Sequence, residues 1–200
     1  VLGCSSSDPQ AKNSSSIEFL HGVACGDPLT DSLILWTKVT PAQQPDLVQL
    51  LLEVSETADF SVIKHQQLCL ARKEADYCCK VDLTGLKPGR SYYYRFSDSN
   101  TVSATGHGKT LPTGSVSEVR FAVLSCSNYP AGYFHVYQQV AQQQLDAVLH
   151  LGDYIYEYEQ GGYATERSVE LGRALAADNQ AEMVSLQDYR KRYALSLIHI

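Results

Sequence analysis

The sequence predicts an all-β sandwich followed by the beginning of an α/β domain, and three observations lead there. Between Ile17 and Leu111 the apolar residues recur in short runs rich in β-branched and aromatic side chains, separated by turn residues. The stretch "HGKTLPTGSVSEV" then gathers Gly, Pro, Ser and Thr in the manner of a linker. Beyond it a continuous apolar run, a run at helical spacing and a second apolar run follow one another within ~30 residues, the pattern of a βαβ unit. With 200 residues the chain holds one large domain or two modest ones, and a core that does not depend on disulfides. The expected division is a signal remnant and Ser-rich tether over 1–16, the sandwich over 17–112, a linker over 113–119, and the α/β part over 120–200.

Each element has a local reason. "DSLILWTKVT" alternates as a half-buried strand until Pro41 ends it, and Trp36 within it is expected as a core anchor. "LVQLLLEVS", "ADFSVIKHQQLCL" and "ADYCCKVDL" supply further strands. In "TGLKPGRSYYYRFSD" a Pro-Gly turn precedes Tyr92, Tyr93 and Tyr94 in a strand. The order is that of an immunoglobulin- or fibronectin-like sandwich, in which a tyrosine near a turn bonds back to the backbone. Gly108-Lys109-Thr110 mimics the end of a phosphate-binding loop, but the required first glycine falls at Ser103 and Pro112 forbids the helix that should follow.

After the linker, "RFAVLS" and "DAVLHL" read as strands buried in a parallel sheet. "GYFHVYQQVAQQQL" between them is a helix, with Phe134, Tyr137, Val140 and Ala141 at helical spacing. "ERSVELGRALAADN" and "SLQDYRKRYAL" are expected to be helical as well.

Two neighbouring parallel strands end on the same edge, ~4.8 Å apart, where open α/β sheets bind ligands. Cys126 follows the first strand, Asp153 follows the second, and Tyr156 lies three residues further on. A thiolate, a carboxylate and a phenolate converging there suit a highly charged cation. A phenol, with an ordinary pKa of about 10, ionises near neutrality only beside a strong Lewis acid such as ferric iron (Fe3+). Asp153 has a second oxygen to bridge an oxygen-preferring ion such as calcium. Two such cations would hold a phosphate oxygen, acidify a bound water and stabilise in-line displacement. Singly, each residue has a plain structural explanation as a turn carboxylate, a packed aromatic or a buried thiol. His150 is expected to be a satisfied core histidine and Glu157 a solvated charge, so neither joins the site.

On these residues the chain resembles a known family. "FAVLSCSNYPAGYFHVY" and "LDAVLHLGDYIYEY" resemble the opening of the catalytic domain of the alkaline phosphatase D (PhoD-type) family. "FLHGVACGDPLTDSLILWTKVTP" looks like the start of that family's N-terminal sandwich. Gly152-Asp153-x-x-Tyr156 is also similar to a block of purple acid phosphatases and related metallophosphoesterases. The resemblance implies an exported phosphomonoesterase or phosphodiesterase, built as a sandwich followed by an α/β metallophosphoesterase domain with an iron and calcium centre. Cys126 and Tyr156 match iron ligands, and Asp153 matches the residue that bridges iron and calcium. Asn128 and Tyr129 carry over as neighbours without a role. At Cys25 the family more usually has serine.

The family also needs an Asn-His block, another acidic ligand and late histidines, and nothing after Tyr158 is expected to supply them; His199, the one later histidine, stands in "LSLIHI", which does not look like the family's continuation. The expectation is therefore a fragment, with no catalytic group beyond the three metal ligands and no activity by itself. Its exposed sheet edge and helix faces are expected to favour aggregation. Two other readings stand beside it. One is a non-enzymatic cell-surface sandwich module; the other is a phospholipid-directed phosphodiesterase on the same scaffold.

Charge and cysteines complete the reading. The net charge of -6 and the lack of a basic run argue against a nonspecific nucleic-acid binder. A phosphate-ester substrate would need a cation to attract it locally. "VLGCSSSD" resembles the end of a bacterial lipoprotein signal, with Gly3 before a lipid-bearing Cys4 and a serine tether after it. The plainer alternative is a cut signal peptide with an incidental cysteine; both readings imply export, to the periplasm, the cell surface or the medium, and the first adds membrane attachment through Cys4. Of Cys25, Cys69, Cys78 and Cys79, a bridge from Cys69 to Cys78 or Cys79 across a hairpin is one expectation, and buried free thiols the other.

Overall fold

The computed structural model describes residues 16–199. Cys4 and nearly all of the Ser-rich tether lie outside the described residues. In chain order the strands are β1 (Ile17–Glu18), β2 (Val23–Gly26), β3 (Ser32–Lys38), β4 (Thr40–Pro41), β5 (Leu47–Ser55), β6 (Ile63–Arg72), β7 (Cys78–Thr84), β8 (Ser91–Ser97), β9 (Gly106–Lys109), β10 (Phe121–Leu124) and β11 (Ala147–His150). The α-helices are α1 (His135–Ala141) and α2 (Leu186–His199).

Two antiparallel sheets form the first unit, one in the order β2-β3-β7 and the other β6-β5-β8-β9, while β1 and β4 pair beside them. The period of two along each strand builds the core between the sheets. Leu33 and Leu35 of β3 and Val81 and Leu83 of β7 point inward from one side. Leu50, Leu52 and Val54 of β5 with Tyr92, Tyr94 and Phe96 of β8 meet them from the other. The tyrosine expected at the turn is Tyr92, whose hydroxyl accepts the Lys87 amide at 2.9 Å. Burying an aromatic of that size removes 150–250 Å² from water, so these rings dominate the core's energetics.

Trp36 is not a core anchor. The alternation that turns Leu33, Leu35 and Thr37 inward turns Ile34, Trp36 and Lys38 to the outer face of the three-stranded sheet. There Trp36 is half-buried in a cleft of about 310 Å³ shared with Cys78 and with Leu186, Tyr189 and Tyr193 of α2. The hairpin expected to carry Cys69 opposite Cys78 or Cys79 is likewise absent. β6 and β7 lie in different sheets, and the chain crosses between them through left-handed Asp76 and Tyr77 (φ 54° and 55°). Cys25, Cys69, Cys78, Cys79 and Cys126 are all free thiols.

In the second unit β10 and β11 pair in parallel, with Leu124 opposite His150, and α1 lies between them in the chain. The expected strand–helix–strand unit is therefore present, but its strands are not buried. Phe121, Val123 and Val148 are each about half exposed, because a two-stranded sheet has few neighbours to cover its faces. Helix α1 is shorter than its periodicity suggests, beginning at His135 with no side-chain cap on Phe134. "ERSVELGRALAADN" is also not a helix. The Arg173 amide turns back to the Ser168 carbonyl at 2.6 Å, Gly172 takes φ 64°, and only Ala177–Asn179 forms a single 3-10 turn. The tertiary pull on Arg173, described below, overrides the local propensity.

Helix α2 does form and runs through His199. Its start is a capping arrangement in which the Ser185 amide donates to Asp188 Oδ2 at 2.9 Å and the Asp188 amide donates to Ser185 Oγ at 3.3 Å. Besides the cleft shared with Trp36, polar contacts tie it and the βαβ unit to the sandwich. Lys109 pairs with Asp146 at 2.9 Å, and Arg190 donates to the Glu74 carbonyl at 2.7 Å. Among the described residues no helix is long and apolar enough to cross a membrane.

Candidate metal centre

The parallel pairing of β10 and β11 continues past both strands and brings their ends together. The Leu151 amide donates to the Leu124 carbonyl at 2.8 Å, the Cys126 amide to Gly152 at 3.1 Å, and the Ser127 amide to Asp153 at 2.8 Å. Cys126 and Asp153 both adopt left-handed backbone, with φ 66° and 53°. For residues with a Cβ that conformation costs about 1 kcal/mol or more, and it concentrates where a chain must aim a side chain. Here two such residues stand side by side on one edge of one sheet.

The three residues singled out from the sequence meet at a single carboxylate oxygen. Asp153 Oδ2 accepts the Cys126 thiol at 3.6 Å and the Tyr156 hydroxyl at 3.1 Å. The Tyr156 phenol is pushed well above its ordinary range, first by its hydrogen bond with Cys126, then by burial and by Asp153. Left to themselves, two acidic neighbours hold its proton in place; a cation among the three would reverse that balance. Among the described residues no three His, Cys, Asp or Glu side chains cluster, so the third donor of this set is the phenol of Tyr156. A thiol, a carboxylate and a phenol drawn to one point fit a highly charged ion, and Cys126 and Asp153 are exposed enough for one to enter.

Around the trio lies a supporting layer that sequence reasoning did not find. His150 is hydrogen-bonded as expected, but it is half-buried and not a passive core residue. Its Nε2 is 3.0 Å from both Ser127 Oγ and the Tyr137 hydroxyl, and those two oxygens also contact each other. The Gly152 amide donates to His150 Nδ1 at 3.4 Å, which places a ring proton on Nε2. The cluster thus ties the residue after Cys126, the residue before Asp153 and helix α1 into one knot.

The loop bearing Tyr156 is held from the other side by Arg192 of α2, which is 3% exposed. Its Nη1 donates to the carbonyls of Tyr156 at 2.7 Å and Tyr158 at 3.2 Å, and its Nε to Asn179 Oδ1 at 2.8 Å. Burial lowers its pKa, with Asp188 opposing. In "DYRKRY" the sequence shows only a basic helix face, and nothing in it separates the buried arginine from its solvated neighbours. Tyr156 itself stacks with Tyr158 and Tyr163, at ring distances of 6.4 and 5.9 Å.

Asn128 and Tyr129 continue the loop after Cys126. Tyr129 is buried beneath Arg173, whose guanidinium sits 3.7 Å from the ring centre and donates to the Tyr129 carbonyl at 3.2 Å. Asn128 Nδ2 is buried without a partner. Glu157 is exposed, outside the trio, and only its backbone is engaged, accepting the Met183 amide at 3.0 Å.

Residues 3–112 match the family described as PhoD-like phosphatase, N-terminal domain, and residues 121–199 match PhoD-like phosphatase. The chain belongs to the PhoD-like phosphatase family. It is similar to alkaline phosphatase D of Bacillus subtilis (strain 168), with 38% identity over 192 residues, covering 92% of this chain and 32% of that protein. The chain therefore spans about a third of the length of that relative. It is also similar to a solved structure of PhoD, with 37% identity and a TM-score of 0.84 over 94% of this chain and 37% of that one.

Proposed function

We propose that the full-length protein is an exported, metal-dependent phosphoesterase in which Cys126, Asp153 and Tyr156 are metal ligands. The single observation that carries this reading is the meeting of those three side chains on Asp153 Oδ2 at the carboxyl edge of two parallel strands. Family membership supports the phosphoesterase class, and the donor set supports the metals. Cys126 and Tyr156 would hold ferric iron, and Asp153 would share its oxygens between the iron and a calcium ion. When bound, such a pair supplies charge for the phosphoryl oxygens and acidifies the attacking water.

The chain's own residues prepare that chemistry. The left-handed turns at Cys126 and Asp153 aim thiol and carboxylate at one point before any ligand arrives. The Ser127–His150–Tyr137 cluster and Arg192 keep the two loops from relaxing, which is the outer-layer support that metal ligands require. Tyr156 must give up its proton on coordination, so metal uptake should release acid. The remaining ligands would come from the part of the relative's length that this chain does not span. Export and membrane attachment rest on Gly3-Cys4 and the serines that follow.

The test is metal analysis of the full-length protein, wild type beside Cys126→Ala and Tyr156→Phe. Iron should fall in both variants, and hydrolysis of a chromogenic phosphate ester should fall by about a hundredfold or more. Unchanged iron in both variants overturns the ligand assignment. Hydrolysis that survives exhaustive chelation overturns metal dependence.

A further inference from the structure

Two cysteines point into the core of the sandwich from its two sheets. Cys69 lies on β6, an edge strand of the four-stranded sheet, opposite Leu50; Cys79 lies on β7, an edge strand of the three-stranded sheet, opposite Thr37. They are 9% and 2% exposed and belong to the same core cluster. The period of two along β7 sends Cys79 inward and turns Cys78 outward toward Trp36 and α2. The geometry therefore separates two adjacent cysteines that sequence alone could not.

We infer that Cys69 and Cys79 are the partners of an inter-sheet disulfide, formed when the chain folds in the presence of a disulfide oxidant. The thiolate of one attacks the oxidant's disulfide and releases one thiol. The second cysteine then attacks the mixed disulfide and releases the other, so the pair gives up two electrons and two protons and the oxidant's sulfurs are reduced. Each sulfur already shapes the other's ionisation. The Cys69 thiol is pushed up first by its hydrogen bond with Cys79 and then by burial, while Cys79 is held down by Cys69. The Cys69 thiol otherwise has only a long contact to the Leu50 carbonyl, at 3.6 Å. Because both sulfurs are buried, the bond forms before the sheets close, not in the finished core.

Its consequence is local. β6 and β7, the edge strands of the two sheets, contact each other, and Leu68 and Leu70 on β6 are exposed. Edges open first in a sheet and are the sites of unwanted pairing. A covalent tie between the two edge strands holds these edges together. The closed loop is short, so the restraint on the unfolded chain is modest, and an upward shift in Tm of several degrees is expected.

The experiment is refolding of the full-length protein with reduced and oxidised glutathione, alkylation of the remaining thiols, trypsin digestion and mass spectrometry. The peptide "HQQLCLAR" should be found joined to "EADYCCK", two hydrogens lighter than the free pair, with the alkyl label on Cys78. Cys78→Ala should keep the link, while Cys69→Ala and Cys79→Ala should each abolish it. Reduction should lower the Tm of the wild type but not of Cys69→Ala. Alkylated Cys69 and Cys79 after oxidative refolding, or a Cys69–Cys78 link, overturns the inference. It stands independently of the proposed phosphoesterase activity.

Discussion

His150→Phe separates the hydrogen bonds of the supporting cluster from its packing. Phenylalanine keeps a ring stacked on Tyr137, which lies 6.5 Å away at an interplanar angle of 13°, but removes both nitrogens. The loss is two contacts of 3.0 Å, to Ser127 and Tyr137, and the longer acceptance from Gly152. At about 1 kcal/mol for each of the two good hydrogen bonds, roughly 2 kcal/mol of restraint on the Cys126 and Asp153 turns disappears. If that restraint preorganises the ligands, metal affinity falls about 30-fold, inside the 10- to 100-fold range for outer-layer partners of metal ligands. Chelator competition on the full-length protein measures the change, with Tm recorded beside it. Ser127→Ala, which leaves the His150–Tyr137 contact, should show a smaller loss. A His150→Phe protein that folds normally and binds iron as tightly as wild type refutes the reasoning.

Two predictions concern the sandwich. Gly106 pairs with Tyr94, and a Cβ at Gly106 would come within 2.5 Å of that ring's Cε1 and hydroxyl. Tyr94 is 1% exposed and has nowhere to move, so Gly106→Ala should destabilise by about 1–3 kcal/mol in urea melts. His21 is buried with neither ring nitrogen partnered; burial and Lys38 lower its pKa, and Asp76 opposes them. A folded pKa below the unfolded 6.5 means that its contribution to stability is full above pH 6.5 and is lost as pH falls through the folded value. Wild-type Tm should therefore drop between pH 7 and 5 more than that of His21→Leu, and equal drops in the two proteins would exclude His21 as the cause.

Much of the architecture was legible because it rests on local rules. Alternation in "SLILWTK" and "SYYYRFS" specifies strands whichever way they face, and Pro-Gly and Gly-Asp mark turns by backbone chemistry alone. What alternation does not specify is which of its two faces meets a partner. Trp36 was expected inside because it is large and apolar, yet it shares its face with Ile34 and Lys38, and that face meets α2. The same ambiguity hid the difference between Cys78 and Cys79.

The candidate site divides along the same line. Cys126, Asp153 and Tyr156 could be named from sequence, because a βαβ unit fixes where two strand ends lie and residue chemistry says what could gather there. Their convergence on one oxygen of Asp153 depended on left-handed turns that no propensity demands. The Ser127–His150–Tyr137 knot and the arginines at 173 and 192 were decided by contacts over 10 to 44 residues of sequence separation. Period and turn chemistry are properties of neighbours along the chain, so the sequence determined most of the elements, their order and the identity of the candidate ligands. The orientation of those ligands and the side chains that brace them follow from packing between distant segments, and only the tertiary structure decided them.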